Sequence, residues 1–238
     1  FMVSVMPCTA KKFEIIRPEM YNDGLANVDA VITTRELGRM IKDAGIDFRN
    51  LPDGTFDSPL GLSSGAADIF GTTGGVMEAA LRTVYELVTG RELPTEKLHL
   101  KPLMGLKRIK TAELKIEKPL PEFNFLAGVT LRVAVTSGLI GAAELMEEIK
   151  NGTSPYHFVE VMGCPGGCIS GGGQPRPVND AYRMKRLDAI YREDEGKTLR
   201  KSHENQDIKM LYREFLGAPL GHKSHELLHT VYTPRSKD

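Results

Sequence analysis

The chain has 238 residues, of which 41% are hydrophobic and 26% are charged, a composition typical of globular proteins with a substantial core. Lys and Arg together number 31, and so do Asp and Glu, which makes the formal net charge zero. That balance argues against a basic nucleic-acid-binding surface and against a polybasic contact with a membrane. The sequence has no run of 18 or more apolar residues, so we predict no transmembrane helix.

The first six residues, Phe1 to Met6, form a short apolar run that ends at Pro7. The run predicts a buried strand, and it lacks the basic leader of a secretory signal. Because the chain starts inside a structural element, we expect a piece of a larger protein or a separated subunit. The predicted location is the cytoplasm, and any export signal would lie upstream of Phe1.

Alternating strand and helix patterns follow in the first half of the chain. Residues 29–33 predict a short buried strand, after which Thr34 caps a helix over 35–44 that ends at Gly45. A glycine-rich turn over 70–75 leads into an amphipathic helix over 76–88 that ends at Gly90.

In the second half, residues 93–121 predict a mixed β-like segment, and residues 131–136 predict the strongest strand. A helix over 142–150 and a strand over 158–162 come next. From Asp180 to Leu216 the pattern is charged and helical, with interruptions near Gly196 and Ser202, and the rest is a Pro/Gly-punctuated tail. The alternation predicts an α/β fold of parallel or mixed sheets flanked by helices, with sites at the carboxyl ends of strands.

Three cysteines are too few for a disulfide framework in a chain of this length. Cys8 follows the first predicted strand, and Cys164 and Cys168 lie together in a glycine-rich loop. Thiolates are soft ligands suited to iron–sulfur clusters or zinc, and glycines let the backbone approach a bulky inorganic group. A structural zinc site would more often show two close cysteine pairs. The alternative is a purely structural role, in which Cys8 is a small buried apolar residue and the pair lies in an ordinary glycine turn.

Two segments closely resemble the second and third signature segments of iron-only ([FeFe]) hydrogenases: Met6–Glu14 and Glu160–Pro175. The segment Ile69–Arg82 also resembles that family, as does the tail from Phe215 through Tyr232, which belongs to a separate small subunit in some members. The resemblance implies an incomplete two-lobed hydrogenase-like fold. Residues 1–214 would be the C-terminal portion of the H-cluster-binding domain, and residues 215–238 a small-subunit-like tail.

The resemblance also implies a cofactor, the H-cluster, in which a [4Fe–4S] cubane is joined to a two-iron subcluster carrying CO, cyanide and a bridging dithiolate. By the match, Cys8 and Cys164 would be cubane ligands, and Cys168 would be the thiolate shared with the two-iron subcluster. The other matched positions would surround that subcluster: Lys11 as a hydrogen-bond donor to cyanide, Met6 and Met162 as apolar walls, and Phe70 and Gly71 near its CO and cyanide ligands. Gln174 and Pro175 match without an assigned role.

The implied activity is that of a ferredoxin-type iron-only hydrogenase, the reversible reduction of protons to H2. The implied partners are protons and H2, an electron carrier such as ferredoxin, and the N-terminal hydrogenase segment or subunit, with no nucleic acid and no membrane. No segment here resembles the family's first signature, which supplies the fourth cubane cysteine and the proton-transfer thiol. We therefore expect the chain alone to be inactive. A non-catalytic iron–sulfur assembly or sensory relative is the alternative.

Three other motifs compete for a functional interpretation. His225-Glu226-Leu227-Leu228-His229 spells the H-E-x-x-H pattern of zinc metallopeptidases, with His222 nearby, but its position close to the chain end leaves no room for a third ligand downstream. The turn over 71–75 resembles a phosphate-binding helix N-terminus, although close backbone packing explains it better. The basic run Lys107–Lys110 is interpreted as a solvated face.

Overall fold

The structure is a computed structural model that describes residues 1–234. The chain forms two compact units. Unit 1 consists of Phe1–Leu62 together with the described residues from Asn205 onward, and unit 2 consists of Ser63–Glu204. Each unit is considered by itself below.

The first part of unit 1 contains four short strands and two helices. Strand β1 (Val3–Met6) is followed by a single helical turn, α1 (Lys11–Glu14), and by the hairpin of β2 (Tyr21–Asn22) and β3 (Leu25–Ala26). Strand β4 (Ala30–Thr33) pairs in parallel with β1, so that Met6 lies opposite Thr33. Helix α2 (Thr34–Asp43) begins immediately after β4. Met6 and Thr33 therefore mark the carboxyl edge of this small sheet.

Two details of this region differ from the sequence prediction. The strand at the start of the chain is present, but Val3 and Val5 are each 46% exposed, because a two-stranded sheet covers only part of each strand. Helix α2 is capped by Thr33 and not by Thr34: the hydroxyl of Thr33 accepts a hydrogen bond from the amide of Glu36 at 3.2 Å, and the Glu36 carboxylate accepts one from the amide of Thr33 at 2.7 Å. This reciprocal capping box fixes the point at which the chain passes from β4 into α2.

Unit 2 is a mixed α/β unit. Its elements in chain order are α3 (Gly65–Asp68), α4 (Gly75–Thr89), β5 (Ile109–Lys115), β6 (Thr130–Ser137), α5 (Leu139–Lys150), β7 (Phe158–Met162) and α6 (Asp180–Gly196). The three strands form one sheet in the order β5–β6–β7, with β5 antiparallel and β7 parallel to β6. Gly90, in a left-handed conformation with φ +66°, ends α4 as predicted.

Helix α4 is the centre of unit 2, because it contributes to both buried apolar clusters. One cluster joins α4 to the sheet; its buried members are Met77, Leu81, Tyr85, Val88, Leu93, Leu100, Leu103, Ala112, Leu114, Ile116, Val133 and Val135. The second joins the other side of α4 to α6 and to the loop after β7; its members are Ala66, Ile69, Ala79, Ile169, Leu187 and Tyr191. The start of α4 and the loop after β7 are therefore packed into the same core.

A charged network lies between α4 and α6 in unit 2. The side chains of Arg82, Glu78 and Asp194 are completely buried. Arg82 donates two hydrogen bonds to the Asp194 carboxylate, both at 2.8 Å, and one to Glu78 at 2.7 Å. Asp194 also accepts from Arg200 at 2.6 Å, and the second oxygen of Glu78 accepts from the amide of Leu100 at 3.1 Å. Every charge in the network is therefore paired, as burial requires.

The chain returns to unit 1 with α7 (Gln206–Leu211), a π-helical turn over Tyr212–Leu216, and α8 (His222–Leu228). The break after Gly196 and the turn at Ser202–Glu204 agree with the predicted interruptions. Helix α8 was not predicted, since the region was interpreted as an irregular tail. The predicted α/β class with parallel and mixed sheets is confirmed. Within residues 1–234, no helix has the length and apolar character needed to cross a membrane.

Candidate metal centre

The loop after β7 places Cys164 and Cys168 in consecutive tight turns. β7 ends at Met162, whose carbonyl accepts a hydrogen bond from the amide of Gly138 at 2.8 Å. The Cys164 carbonyl accepts from the amide of Gly167 at 2.8 Å, and the Cys168 carbonyl accepts from the amide of Gly171 at 2.9 Å. Both cysteines are half-buried and neither forms a disulfide. Their backbone positions are thus fixed while the thiols remain partly accessible.

This loop lies directly against the turn that precedes α4. The amide of Thr73 donates to the Gly166 carbonyl at 3.1 Å. Gly167 has φ +95°, and a Cβ atom at that position would lie 2.7 Å from the Thr73 nitrogen and 2.9 Å from the Gly71 oxygen. A side chain cannot be accommodated at 167, so glycine is required for the contact. Unit 2 therefore brings Gly71 next to the Cys164–Cys168 loop.

Phe70 and Met162 lie at the borders of this contact. Phe70 belongs to a short turn over Ile69–Gly71, and its side chain is 45% exposed. A Cβ atom on Gly71 would lie 2.8 Å from the Ile190 side chain. Met162, the last residue of β7, is half-buried. These positions agree with an apolar border beside the cysteine loop, while their predicted contacts with a two-iron subcluster stay predictions.

The other predicted site residues lie in unit 1. Met6 is the last residue of β1, and Cys8 lies in the loop between β1 and α1; both are half-buried. Lys11 is the first residue of α1, and its ammonium group donates to the Glu14 carboxylate at 2.5 Å. The structure thus places Met6, Cys8 and Lys11 on one strand–loop–helix segment, at the carboxyl end of a parallel strand as the sequence predicted.

A second feature of the loop is its support by arginines from α6. Arg183 donates to the Ser170 hydroxyl at 2.9 Å, and Arg186 donates to the Ile169 carbonyl at 2.8 Å. An open cavity of about 730 Å³ borders the same loop and is lined in part by Gly171, Gln174 and Arg176. The two arginines therefore fix the part of the loop that follows Cys168, and the cavity leaves space beside that part.

The sequence analysis missed two buried charged residues, Lys110 and Glu160, on the sheet beneath this site. The Glu160 carboxylate accepts from the amides of Gly74 at 2.7 Å and Met77 at 2.8 Å, which caps the N-terminus of α4. These donors are therefore already satisfied by a carboxylate, and the phosphate-binding alternative for the turn over 71–75 does not hold.

Lys110 corrects the interpretation of the basic run as a solvated face. It is 3% exposed, and its ammonium group donates to the carbonyls of Thr73 at 2.6 Å and Gly105 at 3.0 Å. Burial lowers the pKa of Lys110 to about 8, while the nearby charges of Glu160 and Glu78 oppose that change. The alternation of residues along β5 could have indicated this burial, because Lys110 lies on the same face of the strand as the buried Ala112 and Leu114.

The zinc-peptidase motif is split by the end of α8, although the rings of His225 and His229 lie 4.3 Å apart, centroid to centroid. His225 and Glu226 lie in α8, but His229 follows the helix end in an extended conformation, with φ −108° and ψ 150°. Among residues 1–234, the only group of three or more His, Cys, Asp or Glu side chains close enough to share a metal ion is Glu86, His203 and Glu204. The ammonium group of Lys201 lies 2.7 Å from Glu86 and 2.8 Å from Glu204, so both carboxylates of that group already have a cationic partner.

Comparison with known proteins gives consistent results over almost the whole chain. The family model "Iron only hydrogenase large subunit, C-terminal domain" matches residues 1–172, and "Iron hydrogenase small subunit" matches residues 180–235. The chain is 49% identical over 237 residues to the NADP-reducing hydrogenase subunit HndD of Solidesulfovibrio fructosivorans, covering 99% of this chain and 38% of that protein. It thus spans about two fifths of this relative's length.

One solved structure and one more distant relative extend the comparison. The chain resembles the structure of [FeFe]-hydrogenase HydA1 from Chlamydomonas reinhardtii with a TM-score of 0.79 and 46% identity, covering 97% of this chain and 62% of that chain. It is also 30% identical over 241 residues to a protein of Xenopus tropicalis named cytosolic Fe-S cluster assembly factor narfl, covering 98% of this chain and 47% of that protein.

Proposed function

Since the chain belongs to the iron-only hydrogenase large-subunit family, we propose that it supplies three of the thiolate ligands of an H-cluster and takes part in the reversible reduction of protons to H2. The observation that carries the proposal is the Cys164–Cys168 loop of unit 2. It holds two partly accessible thiols in fixed turns against the backbone of residues 71–73.

The residues present fit the cofactor that the family implies. Thiolates are the usual ligands of iron–sulfur clusters, and none of the three cysteines is used in a disulfide. A Cβ atom on Gly163, next to Cys164, would meet nothing within 4 Å, so the start of the loop is open. Cys8 and Cys164 would ligate the cubane, and Cys168 would bridge it to the two-iron subcluster. The bound cofactor would supply the redox chemistry, in which two protons and two electrons combine to H2.

The remaining residues have positioning and electrostatic roles in this proposal. Met6 and Met162 would supply polarizable apolar walls, and Phe70 and Gly71 would lie near the CO and cyanide ligands. The Lys11 ammonium has three N–H donors, of which one is given to Glu14, and it offers a further charge-assisted hydrogen bond to an anionic ligand. The chain holds three cysteines. The fourth cubane ligand and the proton-transfer thiol therefore come from a segment or subunit with the family's first signature, and an electron carrier such as ferredoxin supplies electrons.

The second candidate function is a role in iron–sulfur cluster assembly, which the likeness to the Xenopus tropicalis protein favours. The two candidates differ at the two-iron subcluster. Lys11, Met6, Met162 and Cys168 are the positions that match its surroundings in hydrogenases, and they favour the hydrogenase function. The cytoplasmic location and the boundary at residues 214/215 stay predictions.

The test begins with anaerobic purification of the 238-residue chain, followed by iron and acid-labile sulfide analysis. A synthetic two-iron complex is then added, and infrared spectra are recorded in the CO and cyanide stretching region. We expect iron, sulfide and infrared bands for the unchanged chain. Cys168→Ser should abolish the bands, whereas Cys8→Ser and Cys164→Ser should lower iron and sulfide. Iron and sulfide without bands would favour the assembly function, and zinc or no metal would contradict both.

Activity is tested by adding the first-signature segment as a separate polypeptide. We expect no H2 evolution from the chain alone and measurable evolution from the reconstituted pair. If the pair evolves no more H2 than the lone chain, although the infrared bands are present, the proposed catalytic role is wrong.

A further inference from the structure

We propose that Lys110 and Glu160 are positioning residues that hold the Cys164–Cys168 loop through the turn at residues 71–75. The ligand role of the two cysteines rests on the proposed function. The restraint of the loop is a separate property of unit 2 and can be measured without a cofactor.

The first step is the contact between the turn and the loop. The Thr73 amide donates to the Gly166 carbonyl at 3.1 Å, and the backbone of residues 71–73 lies so close to Gly167 that no Cβ atom fits there. Gly166 and Gly167 lie between the two cysteines in the sequence. Any displacement of Thr73 therefore acts on the segment that separates Cys164 from Cys168.

The second step is that two buried charged side chains hold the same peptide group of this turn, one at its carbonyl and one at its amide. Lys110 on β5 donates to the Thr73 carbonyl at 2.6 Å. Glu160 on β7 accepts from the amide of Gly74 at 2.7 Å and from the amide of Met77 at 2.8 Å. Charged groups form stronger hydrogen bonds than neutral ones, especially when water is excluded. The carbonyl of Thr73 and the amide of Gly74, which are joined by one peptide bond, are thus fixed by a cation and an anion.

The third step is that both charged residues are buried on strands of the sheet. Lys110 is 3% exposed, and its ammonium donates to two backbone carbonyls, those of Thr73 and Gly105. Burying a lysine ammonium is unfavourable unless hydrogen bonds compensate for its lost hydration. Glu160 is 8% exposed and lies two residues before Met162, on the strand that leads into the cysteine loop. The pair therefore connects two strands of the sheet to the turn and to the loop.

The experiment measures the alkylation rate of each cysteine in the metal-free 238-residue chain, with iodoacetamide as the probe and peptide mass spectrometry as the readout. Lys110→Met removes the ammonium with little change of length, and Glu160→Gln removes the negative charge with little change of shape. We expect the rates at Cys164 and Cys168 to rise about tenfold or more. Loss of a buried charged partner should shift the equilibrium from the held loop toward the displaced loop by more than a factor of ten. The rate at Cys8, in unit 1, should change less than about twofold.

Two control variants separate positioning from general stability. Lys115→Met removes an exposed lysine from the same strand, and Leu114→Ala weakens the apolar core beneath that strand. Urea is adjusted so that Leu114→Ala and Lys110→Met have equal unfolding free energies. If the two variants then alkylate equally at Cys164 and Cys168, Lys110 stabilises the unit without positioning the loop, and the inference is overturned. If Lys110→Met does not fold, the same comparison is made with Glu160→Gln.

A spectroscopic readout links the restraint to the ligand role. After reconstitution with iron and sulfide, we expect Lys110→Met to change the electron paramagnetic resonance line shape of the reduced cluster and to shorten its lifetime under a chelator about tenfold. Leu114→Ala at matched stability should leave the line shape unchanged. Should the unchanged chain hold no cluster, the proposed function fails, while the alkylation rates still decide whether Lys110 and Glu160 hold the loop.

Discussion

Replacing Arg82 with methionine should destabilise unit 2 strongly. The substitution removes the hydrogen bonds to Asp194 and Glu78 and one to the Arg200 carbonyl, and the side chains of Arg82, Glu78 and Asp194 have no exposed surface. Breaking a buried ion pair by removing one partner typically costs about 3–5 kcal/mol, because the remaining charge is left buried without its counterion. Arg200 still donates to Asp194, and the amide of Leu100 still donates to Glu78. We therefore expect the loss of unfolding free energy to lie within that range and not above it.

Urea unfolding followed by far-ultraviolet circular dichroism measures this change, since the chain contains no tryptophan. The matched control is Arg108→Met, which breaks a 2.5 Å ion pair with Glu144 whose side chains are 55% and 45% exposed. Exposed pairs contribute about 0–1 kcal/mol, so this variant should unfold nearly at the urea concentration of the unchanged chain. If Arg82→Met costs no more than Arg108→Met, the argument that burial makes the Arg82 network essential is refuted.

Three further predictions concern the capping of α2, the glycine loop and the buried lysine. Thr33→Ala should lower the unfolding free energy by about 0.5–2 kcal/mol, whereas Thr34→Ala should have little effect, and equal effects in urea unfolding would contradict the assigned cap. Gly167→Ala should cost about 1–3 kcal/mol more than Gly138→Ala: both glycines have positive φ, but only at 167 does the added Cβ meet backbone atoms. Because the folded-state pKa of Lys110 lies near 8 and its unfolded value near 10.5, the unfolded state retains the proton between these values, and stability relative to Lys110→Met should rise from pH 8 to pH 10.5. Parallel pH profiles for the two proteins would show that Lys110 keeps its ordinary pKa.

The sequence predicted the elements whose signals are local. The helix before Gly90 and the strand that ends at Met162 have almost the predicted bounds. Both follow from the spacing of apolar residues, and the glycine after the helix marks its end. The family of the chain was also predicted, since the cysteine motifs are long and specific. Helix α8 was missed because seven residues between glycine and an extended histidine carry little periodicity.

The charged residues of the core could not be assigned in the same way. A lysine in a run of basic residues is usually exposed, and the burial of Lys110 depends on carbonyl groups that lie 37 and 5 residues away in the sequence. The role of Glu160 likewise depends on amides more than 80 residues away. Such partners are defined only when the sheet and α4 have been placed together.

The division of the chain into two units has a consequence for the order of synthesis. Unit 2 is one continuous stretch, Ser63–Glu204, whereas unit 1 combines residues from before and after it. Domains generally fold as units while the ribosome extends the chain. The loop with Cys164 and Cys168 can thus reach its final shape before the last part of unit 1 has been translated, while the surroundings of Cys8 must wait for it. Two of the three cysteines, Cys164 and Cys168, are then placed early, and Cys8 is placed late.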